Sequence, residues 1–264
     1  MNVSYGTWHQ AWFGYQQFLE RFTATRPTIR RVLEIGGGAN PALSIEFIEK
    51  HRLEYTILDI SAAELAKAPD GYLKLRADIT DENLLIPEVY DFVFSKMLAE
   101  HVSSGVIFHK NVMRLLCNSG VAFHYFPTLY ALPCVINRLL PESLGEKFLQ
   151  LFQGSRQADG RTAKFKAYYS WCRGPLKHQI KRFEVLGYVV EEYIGFFGWE
   201  GYFKKFRIIE NIHCWVNRKL SHWMVRHPIP LLTSCAYLIL RKNDTTASKK
   251  RRIAGRSAIT SRVA

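Results

Sequence analysis

The stretch Glu34-Ile35-Gly36-Gly37-Gly38-Ala39-Asn40-Pro41 constrains this chain more than any other segment. It follows a short, apolar, β-branched run, Arg31 to Ile35, which reads as a buried strand. It precedes a helical pattern opened by Pro41, with Ala42, Ile45, Phe47 and Ile48 on the apolar face. Glycines between a strand and a helix let the backbone turn tightly and come close to a ligand. The dinucleotide-binding pattern needs a third glycine where Pro41 stands. Glu34 also puts a carboxylate near the first turn, which suits the cationic end of a ligand better than a pyrophosphate.

The rest of the first half alternates in the same way. Leu53 to Ile60 reads as a second strand, with Ser61 capping a short helix through Lys67; Tyr72 to Ile79 is a third and Tyr90 to about Lys96 a fourth. Ser103 and Ser104 precede a helix to Cys117, closed by Asn118 and Gly120, and Val121 to Phe126 is the fifth strand. A helix at Lys177 to Leu186, a strand near Tyr188 to Ile194, a Trp-rich helical stretch from Tyr202 to Val225 and a strand at Leu231 to Arg241 follow. Ahead of the first strand, Trp8, Trp12, Tyr15, Phe18, Leu19 and Phe22 predict an amphipathic helix over Tyr5 to Phe22. The expected fold is α/β, a doubly wound, mostly parallel, seven-stranded sheet with a helical, aromatic insertion after the fifth strand. One domain spans 1–241, with a helical cover at 1–30 and an insertion at 129–180; a basic, Ser/Ala/Thr-rich tail occupies 242–264.

The chemistry-bearing residues fall at the carboxyl ends of the expected strands, where open α/β sheets bind ligands. Asp59 ends the second strand, where a carboxylate can accept hydrogen bonds from both hydroxyls of a ribose. Asp78 can accept from an adenine amino group while Ile79 packs on the ring. The fourth strand, Tyr90-Asp91-Phe92-Val93-Phe94-Ser95, runs into Lys96-Met97-Leu98-Ala99-Glu100-His101-Val102. His124 and Tyr125 alternate faces of the fifth strand, so only one of them can point to the ligand side.

From Arg31 to Phe126 the chain resembles the class I, Rossmann-like S-adenosylmethionine-dependent methyltransferases, in particular the bacterial branch with a Glu-x-Gly-x-Gly loop, an Asp-x-Val-x-Ser strand and a Glu-His pair. The resemblance implies S-adenosylmethionine as cofactor. It implies Gly36 and Gly38 beside its methionine part, Asp59 at the ribose, Asp78 and Ile79 at the adenine, and Ser95 and Lys96 along its near edge. Glu34 would act through the loop or on the amino group. His101 is either a base facing the methyl acceptor or a cap that orients the following helix. No metal is implied, and a base is needed only if the acceptor must lose a proton.

The formal charge is +13, and seven of the 36 Lys and Arg lie between Lys242 and Ala264. The body is basic around Lys164 to Arg182 and Lys204 to Arg226. A small molecule or a glycan or lipid intermediate is the expected acceptor. RNA ranks second, because no Asn-Pro-Pro-Tyr-type motif follows the fourth strand; a catalytically idle binding scaffold is a third reading. Aromatic and basic residues in the insertion, Tyr130, Phe148, Phe152, Lys164, Phe165, Lys166, Tyr168, Tyr169, Trp171 and Arg173, would roof the acceptor or form a small core of their own. The five cysteines form no Cys-x-x-Cys pair and no secretory signal opens the chain, so a cytoplasmic protein is expected. The basic, Trp-rich stretch leaves room for peripheral membrane contact.

Overall fold

The computed structural model describes residues 1–130, 166–200 and 207–243. Among these, eight strands form one sheet: β1 (Asn2–Thr7), β2 (Arg31–Ile35), β3 (Glu54–Asp59), β4 (Leu73–Arg76), β5 (Tyr90–Lys96), β6 (Leu116–Pro127), β7 (Tyr188–Phe197) and β8 (Cys235–Lys242). Their lateral order is β1-β7-β8-β6-β5-β2-β3-β4. β8 runs antiparallel between β6 and β7, and the other pairings are parallel. The described helices are α1 (Trp8–Ala24), α2 (Ile45–His51), α3 (Ala62–Lys67), α4 (Gly105–Leu115), α5 (Lys177–Leu186) and α6 (Arg207–Arg226).

The pleat of the strands sorts their side chains into two cores. Val32, Phe92, Phe94 and Phe123 join a buried cluster with Ala11, Tyr15, Leu19 and Phe22 of α1. Leu33, Ile35, Val93 and Ala122 join another with Phe108 and Val112 of α4 and Ile180 and Phe183 of α5. Near-continuous apolar strands such as β5 are what burial on both faces requires.

The structure corrects the sequence reading in several places. The sheet has eight strands rather than seven, because the expected helix over Tyr5 to Phe22 gives up its start to a strand; it is mostly parallel, with β8 its one antiparallel strand. Asn2–Thr7 pairs with β7 from Asn2↔Glu192 to Thr7↔Phe197, and α1 begins only where Thr7 accepts from Gln10 N (3.4 Å) and Gln10 Oε1 accepts from Thr7 N (2.8 Å). Helix α2 starts at Ile45, capped by Ser44, and not at Pro41, because the Ala42 N–H donates to Glu34 instead of entering a helix. α4 stops at Leu115, where Leu116 turns extended to pair with Tyr90; β6 thus begins five residues early, with a register irregularity before Val121. β4 ends at Arg76, and the expected strand at Leu231 begins only at Cys235, behind a 3-10 turn at Pro230–Leu232. Strand β7 continues three residues beyond Ile194, and α5 has the expected bounds.

From β2 the chain builds outward through β3 and β4, then returns to lay β5 and β6 on the other side of β2. The strand order therefore reverses between β2 and β5. In open α/β sheets this reversal, at the carboxyl edge of the sheet, is where ligands bind.

The junction of β1 and α1 gives a direct test of why the helix starts where it does. Thr7→Ala removes the side-chain half of the capping box and should cost about 1 kcal/mol. Urea unfolding would show this as a lower midpoint at unchanged slope.

Candidate cofactor site

The glycine loop is fixed from below and from the side. Gly36 N donates to Leu58 O (2.7 Å), which anchors the loop to β3. The Glu34 carboxyl is buried and holds the loop's far end: it accepts from Ala42 N (3.0 and 3.2 Å to its two oxygens) and from the Tyr55 hydroxyl. Glu34 thus acts on the loop. Burial pushes its pKa up to about 7, against the opposing pull of the Tyr55 and Ala42 hydrogen bonds and the Lys96 charge.

Three glycines are required by geometry, Gly37 because a Cβ there would lie 2.7 Å from Glu34 Cδ. Gly36 has φ +78°, and a Cβ there would lie 2.3 Å from Leu98 Cδ1, just past the end of β5. Gly38 has φ +43°, and its Cβ would lie 3.0 Å from Asp59 Oδ2. The backbone therefore passes directly over the Asp59 carboxylate. Asp59 Oδ1 accepts from Ser61 N (2.8 Å), which fixes the carboxylate at the end of β3, and partial burial raises its pKa.

Asp78 and Ile79 lie in the loop after β4 rather than on a strand. Ala77 N donates to Asp59 O (3.1 Å), which brings this loop alongside Asp59. Asp78 Oδ1 accepts from Thr80 N (2.8 Å) and Thr80 Oγ1 (2.7 Å). Buried Asn111, on α4, donates through Nδ2 to Ile79 O (2.8 Å) and Asp81 O (2.7 Å). The sequence reading passed over Asn111. Its signal was a polar residue at helical spacing with Phe108, Val112 and Leu115, all of which are buried.

Ser95 and Lys96 part company across the sheet. Ser95 is fully buried, its hydroxyl 2.8 Å from His124 Nδ1. Its side chain thus braces β5 against β6. Burial drives His124 down to about 3, so the imidazole is neutral, and it sits among the rings of Phe108 and His109. Lys96 Nζ lies on the α1 side, 4.5 Å from the centroid of the Tyr15 ring and 5.9 Å from that of Trp12. Tyr125 packs on the same side, between Tyr15 and Tyr237.

After β5 the chain bends at Met97, a non-glycine residue with φ +52°, and enters a 3-10 turn at Ala99–His101. This turn receives the chain returning from the insertion. Glu100 O accepts from Tyr168 N (2.7 Å) and Tyr169 N (2.9 Å), and His101 Nδ1 lies 3.0 Å from Lys166 O. A carbonyl can only accept, so Nδ1 carries the proton and Nε2 is the proton-accepting nitrogen of the neutral ring. The buried Glu100 carboxyl lies beside it, Oε1 3.7 Å from Nε2, and burial raises its pKa to about 8. Of the residues expected to roof the acceptor, Tyr168, Tyr169, Trp171 and Arg173 come back to this turn or to the neighbouring core; Phe148, Phe152, Lys164 and Phe165 lie outside the described residues.

The chain superposes on an S-adenosylmethionine-dependent methyltransferase from Archaeoglobus fulgidus with a TM-score of 0.50, at 16% identity, covering 87% of this chain and 94% of the other. The fold is that of the S-adenosylmethionine-dependent methyltransferases. Phosphoethanolamine N-methyltransferase 2 of Haemonchus contortus, in complex with S-adenosyl-L-methionine, gives 0.53 at 15% identity over 88% of this chain, which spans about half (53%) of that enzyme. The [4+2]-cyclase SpnF gives 0.52 at 13% identity, covering 90% and 83%. No family model and no curated protein matches the chain.

Gly36→Ala must accommodate both the left-handed backbone and the clash with Leu98. The expected result is a folded protein less stable by roughly 1–3 kcal/mol, with weakened binding at the loop. Thermal unfolding and ligand titration of the variant would measure both. The two raised carboxyls make a separate prediction. The unfolded chain releases both protons at roughly pH 4–5, whereas the folded chain keeps them up to about 7 for Glu34 and about 8 for Glu100. Within that window the folded state holds more protons, so stability is greatest at the acid end and falls as pH rises, by up to about 1.4 kcal/mol per unit for each group. Glu100→Gln should flatten the fall in melting temperature between pH 5 and 8.

Proposed function

We propose that this protein is an S-adenosylmethionine-dependent methyltransferase acting on oxygen or nitrogen of a small molecule or of a glycan or lipid intermediate. The observation that carries the reading is the close passage of the Gly36–Gly38 backbone over Asp59 at the reversal of strand order. A side chain at either glycine would fill the cradle. The donor set fits the cofactor: Asp59 Oδ2 would accept from the ribose hydroxyls, Asp78 from the adenine amino group, and Ile79 would pack on the ring. Gly36 and Gly38 would line the methionine part, with Glu34 holding their loop. The Ser95-Lys96 segment would run along the near edge.

When bound, S-adenosylmethionine supplies a sulfonium methyl that moves in line to a nucleophile. The protein's part is then alignment. Where the acceptor must lose a proton, His101 Nε2 is the candidate base, held in that tautomer by the Lys166 carbonyl. The Haemonchus protein has also been solved with phosphomonomethylethanolamine, which lends support to a small, charged acceptor. The [4+2]-cyclase neighbour favours a second reading, in which the same fold holds its ligand without methyl transfer.

Calorimetric titration with S-adenosylmethionine and S-adenosylhomocysteine tests the cofactor step. Wild type should bind both, and Asp59→Ala should lose roughly ten- to a hundred-fold in affinity, the range expected for hydrogen bonds to a charged group. A well-folded wild type that binds neither would sink the methyltransferase reading. Binding without methyl transfer to any acceptor in a labelled-methyl screen of amines, sugars, phospholipids and RNA would favour the second.

A further inference from the structure

Helix α6 is built inside out. The residues it buries fully are polar, with Met224 and Val225 half-buried beside them: Asn217 is 8% exposed and Ser221 3%, packed where a Cβ on Gly198 would strike Ser221 Oγ, and Asn217 Oδ1 accepts from Trp199 N (3.3 Å). Most of its large apolar side chains point to solvent. Ile208 (77%), Ile212 (60%), Trp215 (64%) and Trp223 (54%) are exposed, with Ile209, Val216 and Leu220 beside them. At 3.6 residues per turn these positions form one stripe opposite Asn217 and Ser221.

The charges around the stripe are basic, apart from Glu200, whose carboxylate accepts from Arg218 Nε (3.3 Å). Arg218 and His222 border it on one side, Lys219 and Arg226 rise within it between the lines of Trp215 and Ile212, and all four are exposed. Glu210, the helix's one acid, belongs to the partly buried inner face, where its carboxylate accepts from Cys214 Sγ (3.2 Å). The apolar surface continues past the helix into exposed Ile229, Leu231 and Leu232. α6 packs against β7 and β1 and meets the chain at Gly198 and Trp199, just past the end of β7. β1 and β7 run parallel, so their ends lie on one rim of the sheet. Through the parallel pairings of β6, β5 and β2, and β8 antiparallel between, that rim is also the one carrying the glycine loop.

We propose that α6 docks this protein onto an anionic phospholipid bilayer, lying in the plane of the interface. Its apolar stripe enters the headgroup boundary, Trp215 and Trp223 anchor it there, and Lys219 and Arg226 extend their charged ends from the stripe to the lipid phosphates. Among the described residues no helix is long and apolar enough to cross a membrane. A second copy of the chain is a poorer occupant, because a +13 chain would bring like charges together around the stripe. The proposal stands apart from the methyl-transfer reading, and its test uses no cofactor.

The test is sedimentation of the full chain with vesicles of equimolar phosphatidylglycerol and phosphatidylcholine, against phosphatidylcholine alone. Wild type should partition about ten-fold or more in favour of the anionic vesicles. Combined Trp215→Ser and Trp223→Ser should lower that partitioning about ten-fold at unchanged melting temperature. The basic tail is present in both proteins, so a loss reports α6. Brominated phosphatidylcholine in the same anionic vesicles gives a readout on wild type that needs no variant: tryptophan quenching is expected, and its absence overturns the proposal. It is equally overturned if the variant binds as well as wild type, or if light scattering finds a dimer that the same substitutions dissociate.

Discussion

The buried Glu34 carboxyl is the interaction on which the site's shape depends. It stands at the end of β2, and its oxygens take up Ala42 N and the Tyr55 hydroxyl, so the chain between them must arch over β3. That arch places Gly36 against Leu98, where a Cβ has no room, and Gly38 over Asp59, where one would be tightly crowded. A carboxyl without hydrogen bonds would be costly at this depth; with them it fixes a loop of small residues that has almost no packing of its own.

The other side of the site is fixed by main-chain bonds. The 3-10 turn at Ala99–His101 gives its Glu100 carbonyl to Tyr168 and Tyr169 and its His101 ring to Lys166, so the chain that leaves at Leu129 comes back to the end of β5. Left-handed backbone at Met97, Tyr169 and Trp171 gathers around the same turn. Non-glycine residues in that region are held there by their surroundings, and such positions concentrate at functional sites. On the far side, Asn111 takes over the carbonyls of Ile79 and Asp81 and ends β4 early. Two of the three loops are thus pinned by polar groups whose partners lie 30 or more residues away, and Glu34 reaches only to Ala42 and Tyr55.

Helix α6 follows a different economy from the rest of the fold. α1 and α4 bury their apolar stripes against the sheet, whereas α6 buries Asn217 and Ser221 and leaves two tryptophans in solvent. Periodicity alone reads the three helices alike, because a stripe of apolar residues says that a helix has two faces and not which of them meets the protein.

Local pattern determined seven of the eight described strands in outline, the starts of α3, α4 and α5, and the glycine loop of this protein, because each depends on residues close together in sequence. The run before Gly36 is apolar on both faces, Ser61 and Ser104 sit where helices need acceptors, and Glu34, Asp59 and the Ser95-Lys96 pair fall at strand ends. Only the tertiary structure decided what these groups do. The aromatics at Tyr5 to Trp8 satisfy helix and strand patterns equally, and it is the free edge of β7 that draws Asn2–Thr7 into the sheet. Ser95 faces His124 because β5 and β6 pair in the register Ser95↔His124, and Asn111 reaches Ile79 because α4 crosses that end of the sheet. Pairing across tens of residues sets which side chains meet, and sequence spacing within one element carries no record of it.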